Sequence, residues 1–581
     1  MKLKNRILPF FQAIPKLLTF QIVSGLVLTP LTWVISSLCG MLMGLSGKAA
    51  FTSGDIGFLF TNWQGYVIMV LVVLMAISYV AVEVNALVIY CGKLLNGEKP
   101  SVWRSIKDGC LAMKKYLNPR GLIIIFYAVI LSPIVGLGFS VTLTSSFYIP
   151  HFIMSVINST PLYLTAYIIF MTFLTVVEII YCFILHGTLL DDMKIKEASV
   201  NSRRMVKRNL KNYIFEMICY FVLLTLITAL LTLVAAIPLI IAQFIPMGET
   251  AEKFFGILFT LIPSGVLLLM AMLSVSFFVL KLTMLYKKYS SGGEWTYQKQ
   301  EKKHHPFMIT AAVLALVGCI GMSFIGAYYF DEIFHTEITT EVFAHRAGGS
   351  EAPENTVKGI EVAYSLGAKG FEIDIQRTSD GYYVVNHDAD FARVAGVSKK
   401  PNEMTLSEVK KLRVDGEPVP TLEEMLDASR GKGILLVELK GETADNQMAD
   451  DAVKIIKEKG MSDQAVLISL KYDVLEYIEQ KYPEMLTGYL AFISFGRIEN
   501  TPFDYLALEE EISTDDNIDV IHEKGKKVLV WTVNEEDEIE QFMNGDADAI
   551  ITDSVKLSGE IKEELINRTP IEVILQEFII S

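Results

Sequence analysis

Cysteine is absent from the second half of this 581-residue chain. All six cysteines precede residue 320, so residues 331–581 have no disulfide bond and their fold depends on a hydrophobic core or on a bound metal. Charged residues are scarce over long stretches of the first half. The mean hydropathy of +0.40 and the 52% share of hydrophobic residues exclude an ordinary soluble protein of this length.

Charge is divided unequally between the two halves. Residues 1–330 contain 26 Lys and Arg against 13 Asp and Glu, whereas residues 331–581 contain 25 against 52. The acidic excess of the second half argues against nucleic acid as a partner, because phosphate backbones repel such a surface. The two halves therefore serve two different environments.

Seven stretches of the first half are long enough to cross a bilayer, which takes about 20 apolar helical residues. They lie at 18–43, 65–91, 121–146, 162–188, 213–245, 254–286 and 308–330. The sequence therefore predicts an all-α membrane domain over residues 1–330 with about seven transmembrane helices. The first stretch is too long for a cleavable signal peptide and lacks a small-residue cleavage site.

Basic residues are nearly missing from every second connection between these stretches. Of the 26 Lys and Arg, 23 lie in the segments 1–17, 92–120, 189–212 and 287–307. By the positive-inside rule, these segments and the N-terminus are cytoplasmic. An odd number of crossings then predicts a multi-pass protein of the cell membrane, in contact with membrane lipids, whose second half is extracellular.

Three carboxylates, Glu83, Glu178 and Glu216, lie within or near the ends of the apolar stretches. An intramembrane carboxylate suggests a polar pathway or a site for a lipid headgroup. The alternative is that each lies at the membrane interface or pairs with an arginine of a loop. If the three surrounded one cavity, a transport or lipid-presenting role would be favoured.

Strand-like and helix-like segments alternate after a short tether at 331–341. The candidate strands lie at 342–345, 370–376, 382–386, 433–439, 465–469, 486–490, 505–508, 527–533 and 549–552. This alternation predicts an α/β TIM (β/α)8 barrel over residues 342–556, followed by a tail at 557–581. An open doubly wound sheet is the rival fold, and the lack of a Gly-rich dinucleotide motif after the first strand counts against it.

Acidic side chains gather at the ends of these predicted strands, where barrel active sites are built. Glu372 and Asp374 are two residues apart, so they share one face of a strand and can hold a single cation together with Glu438. A set of oxygen ligands favours Ca²⁺ or Mg²⁺ over zinc. The alternative for each carboxylate is a surface acid of a strongly acidic domain.

Basic and aromatic side chains complete the predicted site. His345 and His387 are the candidate acid and base, because imidazole exchanges a proton near neutral pH; a core or metal-ligating role is the alternative for one of them. Arg346 and Lys440 are predicted to neutralise phosphate charge, although either alone is more often a salt-bridge residue. Trp531 either walls the substrate pocket or is a buried barrel tryptophan.

The segment between the first predicted strand and helix is interpreted as structural support. Asn355 and Thr356 are typical of a helix N-cap, and Glu354 is placed to brace Arg346. The Gly348-Gly349 pair allows the backbone to turn close to the site.

Taken as a set, these motifs resemble the glycerophosphodiester phosphodiesterase family over residues 343–555. The shared pattern, in order along the chain, is His345-Arg346, Glu372-Ile373-Asp374, His387-Asp388 and Glu438-Leu439-Lys440. The apolar first half lies outside this match and resembles the membrane-anchored branch of the family, which has an N-terminal multi-span domain and occurs in Gram-positive bacteria.

The resemblance implies a reaction as well as a TIM barrel. His345 and His387 become the general acid and base, and Glu372, Asp374 and Glu438 become the ligands of a divalent cation. The family chemistry implies that the metal activates the 2-hydroxyl of a glycerol group, which attacks phosphorus and expels an alcohol. Water then opens a cyclic phosphate, leaving sn-glycerol 3-phosphate. Every position of the pattern is filled, so an active hydrolase is expected.

Three functions are compatible with the sequence. The first is an outward-facing phosphodiesterase that acts on glycerophosphodiesters, including deacylated phospholipids or glycerol-phosphate polymers of the envelope. The second is a lysophospholipase-D-like enzyme that cleaves intact lipids on the same barrel. In the third, the membrane half is a transporter or a lipid-presenting module. Neither the leaving alcohol nor the oligomeric state follows from the sequence.

Overall fold

A computed structural model describes the chain over residues 3–46, 50–52, 58–116, 118, 121, 154, 157–158, 160–242, 244–292, 306–334, 337–492 and 494–574. The chain forms two compact units. The first comprises residues 1–39 and 67–328, and the second comprises residues 40–66 and 329–581.

Apolar helices build the first unit. Among the described residues, five helices are long and apolar enough to cross a membrane, namely Pro9–Leu45, Trp63–Leu95, Pro161–Leu190, Ile195–Ala242 and Glu249–Ser290. They match the first, second, fourth, fifth and sixth predicted stretches, and the seventh forms the helix Pro306–Tyr328. The third predicted stretch lies almost wholly outside the described residues. The count of seven crossings therefore stays a prediction.

Irregularities within these helices have local causes. The helix that begins at Trp63 passes through a π-helical turn at Val80–Asn85 before it continues as Ala86–Leu95. The helix Val102–Ala112 begins at the N-cap Ser101 and crosses close to this turn. The close approach requires glycine at position 109, since a Cβ on Gly109 would lie 2.3 Å from the Ala81 carbonyl oxygen. Asn209 interrupts the helix Ile195–Ala242.

The three intramembrane carboxylates have different surroundings. Glu216 accepts a hydrogen bond of 2.9 Å from Lys281, and the Lys288 ammonium lies 3.5 Å away. Glu83 and Glu178 are buried. The described cavity that Glu83 lines includes neither Glu178 nor Glu216, so within the described part of the chain the three carboxylates do not surround one cavity.

Eight parallel strands close into a barrel in the second unit, as the sequence predicts. In chain order β1 to β8, they are Glu341–Ala344, Gly370–Arg377, Ile434–Leu439, Ala465–Ser469, Thr487–Ala491, Tyr505–Glu509, Lys527–Trp531 and Ala549–Thr552. Each strand pairs with the next along the chain, and β8 pairs with β1. The closed sheet excludes the rival open sheet.

Helices follow most of the strands and cover the outside of the barrel. They are Val357–Ser365, Leu422–Ser429, Asn446–Glu458, Tyr472–Lys481, Asp515–His522, Glu536–Asn544 and Val555–Ile566. Their apolar faces pack on the strands in one core, in which residues such as Ile360, Met448 and Ile539 are fully buried. Burial of such side chains stabilises the fold by roughly 1.5–3 kcal/mol each.

Several short elements complete the second unit. The strand Tyr383–Val385 extends the sheet antiparallel to β2. The remaining elements are helices or helical turns at Phe58–Thr61, Phe330–Ile333, Ala392–Ala395, Pro401–Glu403, Leu406–Val409, Ile498–Asn500 and Glu510–Ile512, and strands at Arg413–Val414 and Glu417–Pro418.

Two segments predicted to lie outside the barrel belong to its unit. The strand Ala50–Thr52, in the connection between the first two apolar helices, pairs antiparallel with Ser494–Gly496 in the segment after β5. The helix Val555–Ile566 spans the predicted boundary at 556. Its Ile561 and Leu565 are buried in the barrel core, so this helix is part of the domain rather than of a tail.

Candidate active site

Three carboxylates converge at the carboxyl ends of β2 and β3. Asp374 on β2 lies directly opposite Glu438 on β3, and Glu372 is one inward position earlier on β2. Suitable oxygen atoms of the three side chains lie within 4.8 Å of one another. All three residues are buried, with exposures of 1–6%. A divalent cation is the ordinary way to stabilise such a cluster, because three buried carboxylates carry more negative charge than the one neighbouring ammonium group of Lys440 can offset.

Two carboxylates of the cluster, Glu372 and Glu438, hold protons more tightly than ordinary carboxylates do, whereas Asp374 holds its proton less tightly. Burial, together with the charges of Asp374 and Glu438, raises the pKa of Glu372 well above its usual range. Burial and the Asp374 charge raise the pKa of Glu438 to about 7, even though Lys440 acts in the opposite direction. Burial alone would also raise the pKa of Asp374, but the charges of Lys440 and His387 outweigh it and lower that pKa.

Two neighbours fix the position of Asp374. The Lys440 ammonium donates to Asp374 Oδ1 at 2.8 Å and to Glu438 Oε2 at 2.9 Å. The Asn355 amide donates to Asp374 Oδ2 at 2.8 Å, and its carbonyl oxygen accepts from the Asp374 backbone N–H at 3.3 Å. Asn355 has a positive φ of 56°, a conformation that asparagine tolerates better than most residues. The predicted N-cap role therefore belongs to Thr356, whose hydroxyl accepts from the Gly359 N–H.

His345 follows β1 and is oriented by a carboxylate from the other end of the domain sequence. Its Nδ1 lies 2.8 Å from Oδ1 of Asp553, the residue that directly follows β8. Asn534 donates to Asp553 Oδ2 at 2.9 Å and accepts from the Asp553 N–H at 2.8 Å. Burial tends to raise the pKa of Asp553, but the hydrogen bond from His345 outweighs this and lowers it to about 2. Asp553 is therefore a carboxylate at neutral pH, and it directs His345 Nε2 away from itself.

His387 is held in a similar way by its neighbour in sequence. Its Nδ1 lies 2.8 Å from Asp388 Oδ1, and Arg393 donates to Asp388 Oδ2 at 2.7 Å. Burial lowers the pKa of His387, and the charges of Lys440 and Arg346 add to this effect, while Asp374 opposes it. His387 is therefore largely neutral at pH 7 and able to accept a proton.

Arg346 connects the first histidine to the carboxylate cluster. Its backbone N–H donates to Glu372 Oε2 at 2.8 Å, and its guanidinium donates to Glu354 at 3.3 Å, which confirms the predicted brace. The Arg393 guanidinium also donates two hydrogen bonds to the Glu354 carboxylate, at 2.8 and 2.6 Å. The backbone at Gly349 approaches the backbone of Asp553 closely. Any side chain at position 349 would collide, since a Cβ there would lie 2.5 Å from the Asp553 carbonyl oxygen.

Trp531 lies at the carboxyl end of β7, in register with Ile551 on β8. Its side chain is partly buried against the apolar layer inside the barrel, and its indole N–H donates to the Ala507 carbonyl oxygen at 2.9 Å. Its packing matches the interpretation as a barrel tryptophan, and a role in the substrate pocket stays a prediction.

The donor set fits a divalent cation. One oxygen of Glu372, Oε1, is buried and has no hydrogen-bond partner in the described part of the chain. A buried carboxylate oxygen without a donor is costly, and a metal ion would satisfy it. Glu372, Asp374 and Glu438 supply oxygen ligands alone, which suit Ca²⁺ or Mg²⁺. The structure brings together the three residues that the sequence nominates, and their role as metal ligands stays a prediction.

Known protein families match both halves of the chain. Residues 345–557 match the glycerophosphoryl diester phosphodiesterase family, and residues 3–324 match the membrane domain of glycerophosphoryl diester phosphodiesterase. The chain belongs to this phosphodiesterase family. It is an enzyme, a phosphoric diester hydrolase, that carries the family's membrane domain. The resemblance inferred from the motifs is thereby confirmed.

Individual relatives of this phosphodiesterase cover a smaller part of the chain. A glycerophosphodiester phosphodiesterase of Caldanaerobacter subterraneus is 29% identical over 233 residues, which is 37% of this chain and 94% of the relative. A putative glycerophosphodiester phosphodiesterase of Bacillus subtilis is 26% identical over 227 residues, which is 36% of this chain and 93% of the relative.

Solved structures of this family are also similar to the chain. A phosphodiesterase of Oleispira antarctica, in complex with the product sn-glycerol-3-phosphate, is 25% identical with a TM-score of 0.36, and the match covers 40% of this chain and 98% of the other. A putative glycerophosphoryl diester phosphodiesterase of Silicibacter pomeroyi is 24% identical with a TM-score of 0.37, covering 39% and 94%.

Four residues of the site were not predicted from the sequence. Asp553 and Asn534 orient His345, Arg393 orients Asp388, and Asn355 clamps Asp374. Asp553 directly follows a predicted strand, so the rule that barrel sites lie at strand ends would have found it. Asn355 lies in a loop and Arg393 in the four-residue helix Ala392–Ala395, and neither element is long enough for a periodic pattern to identify it.

Proposed function

We propose that the barrel is an outward-facing, metal-dependent phosphodiesterase that hydrolyses glycerophosphodiesters to glycerol 3-phosphate and an alcohol. One observation carries the proposal. The Glu372, Asp374 and Glu438 cluster lies at the same end of the barrel as two histidines, each with Nδ1 on a carboxylate. Such an arrangement holds a phosphate group and exchanges protons on both of its sides.

The histidines divide the proton transfers. Neutral His387 accepts the proton of the glycerol 2-hydroxyl as that oxygen bonds to phosphorus, and the lowered pKa of this imidazole favours the role. His345 donates a proton to the oxygen of the departing alcohol, so the P–O bond to the alcohol breaks without releasing an alkoxide. In the second step, water adds to the cyclic phosphate, the roles reverse, and the bond from phosphorus to the 2-oxygen breaks.

Charged side chains support this chemistry. A divalent cation on Glu372, Asp374 and Glu438 supplies Lewis-acid polarisation of the substrate oxygens when bound. Arg346 and Lys440 offset the charge of the phosphate, and both are already fixed by contacts with the site. Trp531 forms part of the wall of the substrate pocket.

An extracellular position of the barrel is supported by two observations taken together. The distribution of Lys and Arg assigns the connection at 44–64 to the outside. The strand Ala50–Thr52 of this connection pairs with Ser494–Gly496 of the barrel unit, so both must lie on the same side of the membrane. The absence of cysteine from residues 331–581 makes the test simple. With the six native cysteines replaced by serine, a single Glu442→Cys on intact cells should react with a membrane-impermeant maleimide.

The function is tested by the release of glycerol 3-phosphate from glycerophosphocholine by the purified full chain. Release is expected to depend on Ca²⁺ or Mg²⁺, to stop with a chelator and to be lost in His345→Ala. The matched control is His522→Ala, because His522 pairs with Asp548 at the opposite end of the barrel.

Two outcomes would change the proposal. Release that survives both chelation and the His345→Ala change would place the reaction elsewhere. A parallel assay with lysophosphatidylcholine examines the lipid-cleaving alternative. If choline appears from this lipid while glycerophosphocholine stays intact, the enzyme acts on intact lipids instead.

A further inference from the structure

A cavity of about 450 Å³ lies among three helices of the membrane domain. Gln21, Ser24 and Thr32 line it from the helix Leu3–Leu45, Glu83 from the π-helical turn, and Met272 and Val275 from the helix Glu249–Ser290. Cavities of this volume accommodate small organic groups rather than a single bare ion. The π-helical turn is a second unusual feature, since such turns occur preferentially at functional sites.

Glu83 is the chemically distinctive group of this cavity. Its side chain is only 8% exposed, and no hydrogen bond or ion pair to its carboxylate is found within the described part of the chain. Glu216, in comparison, is paired with Lys281. No Lys, Arg or His is among the described residues that line the Glu83 cavity. A carboxylate in an apolar helix requires a partner, and the described residues around this cavity do not supply a cationic one.

Two other polar groups of the cavity, the Ser24 and Thr32 hydroxyls, are also hydrogen-bond acceptors, while the Gln21 amide donates to Ser276 at 2.7 Å. The Ser24 hydroxyl donates to the Gln21 carbonyl oxygen at 3.1 Å, and the Thr32 hydroxyl donates to the Leu28 carbonyl oxygen at 3.0 Å. Their hydrogens are therefore used within the helix, and their oxygens can only accept. A ligand that binds Glu83 together with these two hydroxyl oxygens must bring donors and positive charge.

We propose that this cavity binds an organic ammonium group, with Glu83 as its counter-ion and the Ser24 and Thr32 oxygens as further acceptors. Trp33 lies at the rim of the cavity, and an indole face attracts an ammonium group. The same chemistry is offered by the headgroup of an amino-phospholipid and by a free amine. The site is separate from the barrel, so its existence does not depend on the proposed phosphodiesterase mechanism.

Native mass spectrometry of the full chain in detergent, with a chelator present, tests this site. The chain is titrated with dioleoyl phosphatidylethanolamine or with dioleoyl phosphatidylglycerol, whose acyl chains are identical. We expect tighter binding of the ethanolamine lipid, and a loss of about tenfold or more of this preference in Glu83→Gln, as removal of a charged hydrogen-bond partner implies. Glu98→Gln, an exposed carboxylate beyond the same helix, is the matched control and should behave as the unmodified chain.

Competition identifies the source of the ammonium group. If free ethanolamine at millimolar concentration displaces the lipid, the site recognises the amine itself; if it does not, the site recognises the lipid. Thr32→Val, which keeps the shape but removes an acceptor, provides a second variant in case Glu83→Gln fails to fold. An equal affinity for both lipids, or an ethanolamine preference that both variants retain, would overturn the proposal. Displacement by sodium alone would show a metal-cation site instead.

Discussion

Binding of the divalent cation should weaken sharply as the pH falls. The pKa of Glu438 is about 7 because of burial and the Asp374 charge. Its ligand form is the carboxylate, so a proton competes with the metal below that pH. Between pH 8 and pH 6 the ionised fraction of Glu438 falls about tenfold, which weakens the metal affinity by about tenfold. The pKa of Glu372 is raised as well, so the total effect is at least this large.

Calorimetric titration of the full chain with Ca²⁺ measures this linkage. Experiments at pH 6, 7 and 8, each in two buffers with different ionisation enthalpies, give the affinity and the number of protons released. We expect release of at least about half a proton for each ion at pH 7, since Glu438 is then about half protonated. Glu438→Gln should bind the ion more weakly and should lose the part of the pH dependence due to this residue.

Glu442→Gln is the control for this experiment. Glu442 lies two residues after Lys440, is exposed and pairs with Lys400, so its replacement changes the local charge without changing the cluster. The control should have the affinity and proton release of the unmodified chain. A Ca²⁺ affinity that is the same at pH 6 and pH 8, with no proton release, would refute the assignment of these carboxylates as metal ligands.

Two further predictions concern residues that hold His345 in position, namely Asp553 and Gly349. Asp553→Asn should lower kcat about a hundredfold with little change in KM, because a misoriented imidazole loses general acid–base catalysis. Asp548→Asn, before β8 beside His522, is its control, and equal losses in the two variants would contradict the orienting role. Gly349→Ala should lower the midpoint of thermal unfolding by a few degrees and also reduce activity, since the residue has a φ of 57° and its new Cβ would meet the Asp553 carbonyl oxygen. An unchanged melting temperature would show that this turn is not strained.

Strand positions and the carboxylate cluster were predictable because both follow local patterns. All nine predicted strands appear within a few residues of their expected bounds, and the alternation of side chains along β2 and β3 places Glu372, Asp374 and Glu438 together. Short apolar runs flanked by turns carry this information within the strand itself.

Contacts between distant parts of the chain could not be predicted in the same way. His345 and Asp553 are 208 residues apart, and no spacing relates one to the other. The strand Ala50–Thr52 is three residues long and meets Ser494–Gly496, a pairing that hydrophobic periodicity does not encode. Asn355 resembled a helix cap because its sequence neighbours favour a cap, whereas its side chain is directed to Asp374. Such contacts follow from tertiary structure rather than from a local pattern.

In the proposed reaction the glycerol 2-hydroxyl is the nucleophile, His387 accepts its proton and His345 protonates the departing alcohol. The most direct test compares glycerophosphocholine with its 2-deoxy analogue, which lacks only that hydroxyl. Choline release by the full chain with Ca²⁺ is measured for both compounds at equal concentration. We predict release from glycerophosphocholine and none from the analogue, although the analogue should compete for the site. Choline release from the analogue at a comparable rate would contradict the account, because water would then attack phosphorus directly.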